Sequence, residues 1–261
     1  MAAAERTAHV DTFARDRLPP PQAQPEFRFD LPELQLPARL NVAVELLDRW
    51  VAQGDGDRPC VLGDFNGTPI RWTYADLQQR ADRIAHVLVR DMGLVPGNRV
   101  LLRGANSPMM AACWFGVVKA GGIVVGTMPL LRERELKPIL DKGEVTHALC
   151  DARLAEALVN VQAECPALTH LRLFNGDGQA GSLEAAMARH DDPFPTLDTA
   201  ADDVALIAFT SGTTGVPKGT MHFHRDVLGA GRCWPPHVLR PLADDVFIGS
   251  PPLAFTFGLG G

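Results

Sequence analysis

Apolar positions along the chain recur at two spacings, and the switches between them mark out the elements. Leu40, Val44, Leu47 and Val51 recur at helical spacing. Cys60-Val61-Leu62 and Pro69-Ile70-Arg71-Trp72 flank Asn66-Gly67, which predicts a hairpin because both turn residues tolerate positive φ. Thr73-Tyr74-Ala75-Asp76 has the form of a capping box. The helix it opens carries Leu77, Ala81, Ile84 and Leu88 on one face, and Gly93 is a natural stop. Strands and helices then alternate. Runs 99–102, 123–125, 147–150 and 171–174 read as strands, and 109–120, 133–142, 154–162 and 183–189 as helices. Ser107-Pro108 supplies a cap followed by proline at the first helical position. Val204-Ala205-Leu206-Ile207-Ala208-Phe209 is a further buried strand, and Val246-Phe247-Ile248-Gly249 is expected to be a core strand.

Repeated strand–helix units predict an α/β fold with a largely parallel sheet, covered by helices and preceded by one early hairpin. Residues 1–38 hold six prolines (Pro19, Pro20, Pro21, Pro25, Pro32 and Pro37) with little periodicity, so an arm lying along the domain or partly disordered is expected there. The chain has 46% hydrophobic and 21% charged residues, enough for a sizeable core. A net charge of −6 without basic runs argues against nucleic-acid partners. Five cysteines, widely spaced and free of a C-x-x-C pair, indicate neither a disulfide framework nor a zinc site. The N-terminus mixes charges without an apolar core of the secretory kind, and no apolar run is long enough to span a bilayer. A cytoplasmic protein without membrane partners is the expectation.

The chemistry concentrates in Phe209-Thr210-Ser211-Gly212-Thr213-Thr214-Gly215-Val216-Pro217-Lys218-Gly219. Such a loop does little for a core, since glycine costs entropy and hydroxyls compete for backbone hydrogen bonds. It suits a polyphosphate: glycines admit backbone N–H groups to the oxygens, hydroxyls add donors, and the lysine brings positive charge. The G-x-x-x-x-G-K-[ST] pattern does not apply, because Lys218 lies between Pro217 and Gly219. An ordinary turn after a strand is the plain alternative. His222 and His224 would share one face of a strand and could hold a metal, but no third ligand lies nearby in sequence.

Thr210 to Gly219 resembles the phosphate-binding signature of the adenylate-forming (AMP-binding) superfamily: acyl- and aryl-CoA ligases, luciferases and peptide-synthetase adenylation domains. Pro251-Pro252-Leu253-Ala254-Phe255-Thr256-Phe257-Gly258-Leu259-Gly260-Gly261 resembles the family segment between the ATP site and the acyl pocket, and is similarly aromatic in benzoate-type ligases. Stretches 9–16, 108–114 and 221–226 are similar to 2-aminobenzoate–CoA ligases. The resemblance implies that ATP activates an aromatic carboxylate to an acyl-adenylate with release of pyrophosphate, and that the acyl group then passes to CoA. It implies Thr210, Ser211, Gly212, Thr213, Thr214, Gly215 and Lys218 as the nucleotide grip, with Lys218 and Thr213 in the catalytic step, assisted by Mg²⁺. It places His222, Phe255, Thr256 and Phe257 against the acid, with core filling by Phe255 and Phe257 as the lesser alternative. The family's Mg²⁺-positioning acid, adenine contacts and a small C-terminal domain with a reactive lysine come later in the chain. Residues 39–261 are therefore expected to be an incomplete AMP-binding domain, inactive or nearly so alone, whose complete enzyme could be a homodimer. A fatty-acid ligase, a carrier-loading domain and a non-catalytic nucleotide-binding module remain open alternatives.

Overall fold

The structure is a computed structural model that describes residues 7–24, 26, 28, 30–176, 178–210, 217–254 and 258–259. Its centre is a six-stranded sheet built from β3 (Arg99–Arg103), β4 (Ile123–Thr127), β5 (His147–Asp151), β6 (His170–Phe174), β7 (Val204–Thr210) and β8 (Lys218–Phe223). The strand order is β6-β5-β3-β4-β7-β8. Every pair is parallel except β7–β8. An early hairpin of β1 (Pro59–Phe65) and β2 (Thr68–Thr73) forms a separate two-stranded sheet. Its turn is the expected one, with Asn66 at φ 53° and Gly67 at φ 80°.

Helices cover both faces. α1 is one turn, Phe13–Asp16, followed by α2 (Tyr74–His86), α3 (Pro108–Lys119), α4 (Glu133–Gly143), α5 (Ala155–Gln162), α6 (Leu183–Met187) and α7 (His224–Cys233). The Thr73 side chain accepts from Asp76 N–H at 3.1 Å while Asp76 accepts from Thr73 N–H at 3.0 Å, so the expected capping box opens α2. Ser107 caps α3 through Met110 N–H at 3.2 Å. The helical spacing from Leu40 onward becomes a widened helix, with π-type turns at Val44–Asp48 and Val51–Asp55.

The pleat divides the core in two. Val100, Leu102, Val124 and Leu149 join the cluster under α2, α3 and α6, whereas Leu101, Ile123, Val125, Ala148 and Cys150 join that under α4 and α5. Strands buried on both faces explain why their sequences read as continuous apolar runs. α2 and α3 approach closely at Gly116, where an added Cβ would lie 2.6 Å from Ile84 Cγ2.

β8 runs antiparallel to β7, so the phosphate-type loop joins the arms of a hairpin. One feature differs from the sequence expectation. Val246-Phe247-Ile248-Gly249 forms no strand; Val246, Phe247 and Ile248 are 72%, 66% and 98% exposed. An apolar run becomes a core strand only where a neighbouring strand takes up its backbone groups, and this one pairs with none of the described strands.

The first described residues are fastened to the domain. Val10 and Asp11 donate backbone N–H bonds to Pro96 O at 3.0 and 2.9 Å. The buried Asp203 carboxylate accepts from Thr7 Oγ1, from Ala8 N–H and from Arg15 Nη2, the last two at 2.9 Å. No helix among the described residues is long and apolar enough to cross a membrane.

Candidate functional site

The site is organised by the β7–β8 hairpin, with Thr210 paired to Lys218, Phe209 to Gly219 and Ala208 to Thr220. Thr210 and Lys218 therefore stand side by side at the open end, both exposed, at the carboxyl end of β7, the edge of an α/β sheet where ligands bind. Ser211, Gly212, Thr213, Thr214 and Gly215 lie outside the described residues. Lys142 Nζ donates to Pro217 O at 2.9 Å and ties α4 to the returning arm. Gly219 is a close-packing position, since a Cβ there would meet Ile207 Cγ2 at 3.0 Å and the Phe209 ring at 3.3 Å.

The root of the hairpin is rigid and buried. His224 N–H donates to Asp203 O at 3.1 Å and Arg225 N–H to Ala201 O at 3.0 Å. The His224 ring accepts the Val42 N–H on Nδ1 at 3.2 Å. That bond requires an unprotonated Nδ1. Burial pushes the His224 pKa down to about 3, with repulsion from His9 adding to it, so the ring is neutral at pH 7. β8 ends at Phe223 and His224 already belongs to α7, so His222 and His224 do not share a strand face. His222 instead meets the Thr220 hydroxyl at 3.2 Å. Among the described residues no group of three or more His, Cys, Asp or Glu side chains could hold a metal ion, so no ligand set for Mg²⁺ is found there.

Two cavities flank the hairpin. One of about 450 Å³ lies against Thr210, Pro217 and Phe209 and is walled by Thr127, Met128 and Arg134. The other, of about 750 Å³, is mainly apolar, bounded by Trp114 and Phe115 of α3, Trp234 beyond α7, and Leu206, with His222 and Asp226 as polar members. The chain beyond Ser250 passes close to both. Asn106 donates to Pro251 O at 2.9 Å and accepts Leu253 N–H at 2.7 Å. Ala254 borders the smaller cavity, and Leu253 and Leu259 border the larger. Phe255, Thr256 and Phe257 lie outside the described residues.

Two residues that hold this arrangement escaped the sequence reading. Asn106 carried no motif. Arg103 was visible as a charge closing an apolar strand, and its side chain is buried. Its guanidinium donates to Met128 O, Pro129 O and Leu131 O at 3.0, 3.1 and 2.7 Å and to Leu154 O at 3.3 Å. It thus fixes the loop that walls the smaller cavity.

The sequence pattern of the AMP-binding enzyme family matches residues 47–261. Benzoate–CoA ligase of Thauera aromatica is 28% identical over 229 residues, covering 88% of this chain and 42% of its own length. The crystal structure of ATP-bound MatB from Rhodopseudomonas palustris superposes with a TM-score of 0.69 at 30% identity, over 84% of this chain and 41% of that one. The anthranilate CoA ligase AuaEII, solved with anthranoyl-AMP, shares the fold with a TM-score of 0.80 at 24% identity, over 88% of this chain and 43% of its own. The chain thus spans less than half of each of these proteins. With the family pattern running through the hairpin, both cavities and most of the sheet, this chain belongs to the AMP-binding enzyme family.

Proposed function

We propose that this chain carries the phosphate grip and part of the acid pocket of an aryl-acid CoA ligase, which activates an aromatic carboxylate with ATP and transfers it to CoA. One juxtaposition carries the reading: a single hairpin borders one cavity with an arginine through Thr210, at its Thr210/Lys218 end, and a larger one walled by aromatic rings through Leu206 and His222. In the reaction the acid's carboxylate attacks the α-phosphorus of ATP, and negative charge gathers on the departing pyrophosphate. A fixed cation with oriented donors stabilises that charge more than it stabilises bound ATP. Lys218, with Thr210 and the 211–216 segment beside it, is assigned that role, and no step is assigned to Mg²⁺. Trp114, Phe115 and Trp234 supply flat apolar surface for a ring, and His222 a polar contact. The benzoate and anthranilate ligases among the relatives support the aromatic choice. Residues 39–261 are read as the part of the AMP-binding domain that holds these groups, with residues 1–38 as an arm fastened to it.

The test is a titration followed by tryptophan fluorescence, since Trp114 and Trp234 line the pocket. Benzoate and 2-aminobenzoate are expected to change the signal saturably, and octanoate to do so only at much higher concentration. Equal responses to aryl and alkyl acids would overturn the aromatic assignment.

A further inference from the structure

Two polar side chains, His222 and Asp226, border the larger cavity, and the hydrogen bonds around them decide what they offer a ligand. The pleat of β8 turns Met221 and Phe223 toward the cluster under α4 and α5. Thr220 and His222 therefore lie on the opposite face of the strand, the side of α3. The Thr220 hydroxyl meets Ala208 O at 3.1 Å and His222 Nε2 at 3.2 Å. A carbonyl oxygen only accepts, so the single Thr220 proton goes to Ala208 O. His222 Nε2 must then carry a hydrogen and donate it to Thr220 Oγ1. In a neutral imidazole of that tautomer, Nδ1 is left as an acceptor. It has no hydrogen-bond partner among the described residues.

Asp226 is an acceptor as well. Its Oδ2 takes the Phe223 N–H at 2.9 Å where α7 begins. Oδ1 has Arg225 Nε at 3.9 Å, beyond hydrogen-bond reach, and the side chain is 23% exposed. The rest of the wall is mainly apolar. The Trp114 indole N–H is enclosed and does not reach the cavity, and Trp234 is 53% exposed, so water serves its N–H. Along β8, His222 stands four residues from Lys218, about 13 Å at strand rise. An acid whose carboxylate points to the hairpin end therefore turns the far part of its ring toward His222 and Asp226. A bare or methylated ring would strip water from these acceptors and give nothing back, whereas a ring with a donor replaces it.

We propose, resting on the aryl-acid reading of this cavity, that His222 Nδ1 and Asp226 select an aromatic acid whose ring carries a neutral N–H or O–H donor. Thr220 is the positioning residue that sets the His222 tautomer.

Amino and methyl groups are alike in size and differ in hydrogen bonding, so each aminobenzoate is compared with the methylbenzoate of the same substitution pattern. The titrations are calorimetric, at mildly alkaline pH, where imidazole is unprotonated. At least one aminobenzoate isomer is expected to bind about tenfold or more tightly than its methyl counterpart. His222→Phe keeps a flat ring without the acceptor and should bring that ratio close to one. Thr220→Val keeps the β-branched shape at an exposed position of β8 and frees the imidazole to carry its proton on either nitrogen, so it should lower the ratio too. A merely structural role for Thr220 would weaken both acids alike and leave the ratio unmoved. Should His222→Phe fail to fold, Thr220→Val carries the test. No aminobenzoate preferred over its counterpart, or an undiminished ratio in either folded variant, would overturn the proposal. Equal binding of amino- and methylbenzoates leaves the aryl-acid reading standing, whereas no saturable binding of any of these acids overturns both.

Discussion

Single side chains at the root of the hairpin govern how it responds to acid. His224 has a folded pKa of about 3 against an ordinary value of 6.5, so the fold prefers its neutral form. The stability this contributes is complete above pH 6.5 and is lost as pH falls from there toward 3. His9 and His147 are also held below their ordinary value, chiefly by burial, and act in the same sense. Asp203 and Asp11 have lowered pKa values although burial opposes this. Hydrogen bonds and, for Asp203, attraction to His9 outweigh it, and their contribution is lost as pH falls below the ordinary carboxylate range. The urea midpoint is therefore expected to fall between pH 6.5 and 4, with each such histidine adding up to about 1.4 kcal/mol per pH unit. His224→Asn, whose amide oxygen can accept the Val42 N–H, should flatten that slope; an unchanged slope would remove His224 from the account. None of this was legible in the sequence, where His224 stood beside His222 as half of a pair. The phosphate-type loop was legible, because its composition has no use in a core. Arg103 was half legible: the charge could be seen, but its acceptors lie 25 to 51 residues further along the chain.

Elements whose signals are local followed the sequence closely. The Asn66-Gly67 turn, the Thr73–Asp76 box and the Ser107 cap are set by residues within a few positions of each other, and all formed. Elements that depend on a distant partner did not announce themselves. β8 is largely polar in sequence, follows a polar loop and is held as a strand by its pairing with β7. The run 246–249 is apolar and lacks such a neighbour. The α2–α3 contact shows the same dependence in its energetics. Alanine at Gly116 would gain about 1 kcal/mol of helix propensity. Its Cβ, however, would fall 2.6 Å from Ile84 Cγ2, 2.8 Å from Ile84 Cβ and 3.1 Å from Ala81 O, with backbone among the obstacles. Overpacking of that kind costs about 1–3 kcal/mol. Gly116→Ala is therefore expected to lower the urea midpoint without altering the m-value, and a stabilised protein would show that the helices can separate freely.

At the scale of the whole molecule, the two core clusters hold the sheet rigid while its carboxyl edge carries the loops and cavities. The hairpin, the Arg103-clamped loop and the segment held by Asn106 all meet along that edge. Under the proposed function, an acidic chain of net charge −6 would meet an anionic nucleotide with Lys218, Lys142 and Arg134 near Thr210, opposed on the same cavity wall by Glu135. The shared edge also separates what was readable from what was not. The α/β class followed from periodicity, but which loops share an edge is set by strand order, which no local pattern records. The central claim is that the hairpin end grips the phosphates of ATP, and calorimetric titration of the parent chain and Lys218→Ala with Mg-ATP tests it most directly. Lys218 is exposed, so its loss should leave the fold intact. The account predicts saturable binding by the parent and about 10- to 100-fold weaker binding by the variant, the range expected for a lost charge-assisted bond. Equal affinity in the two proteins would contradict it.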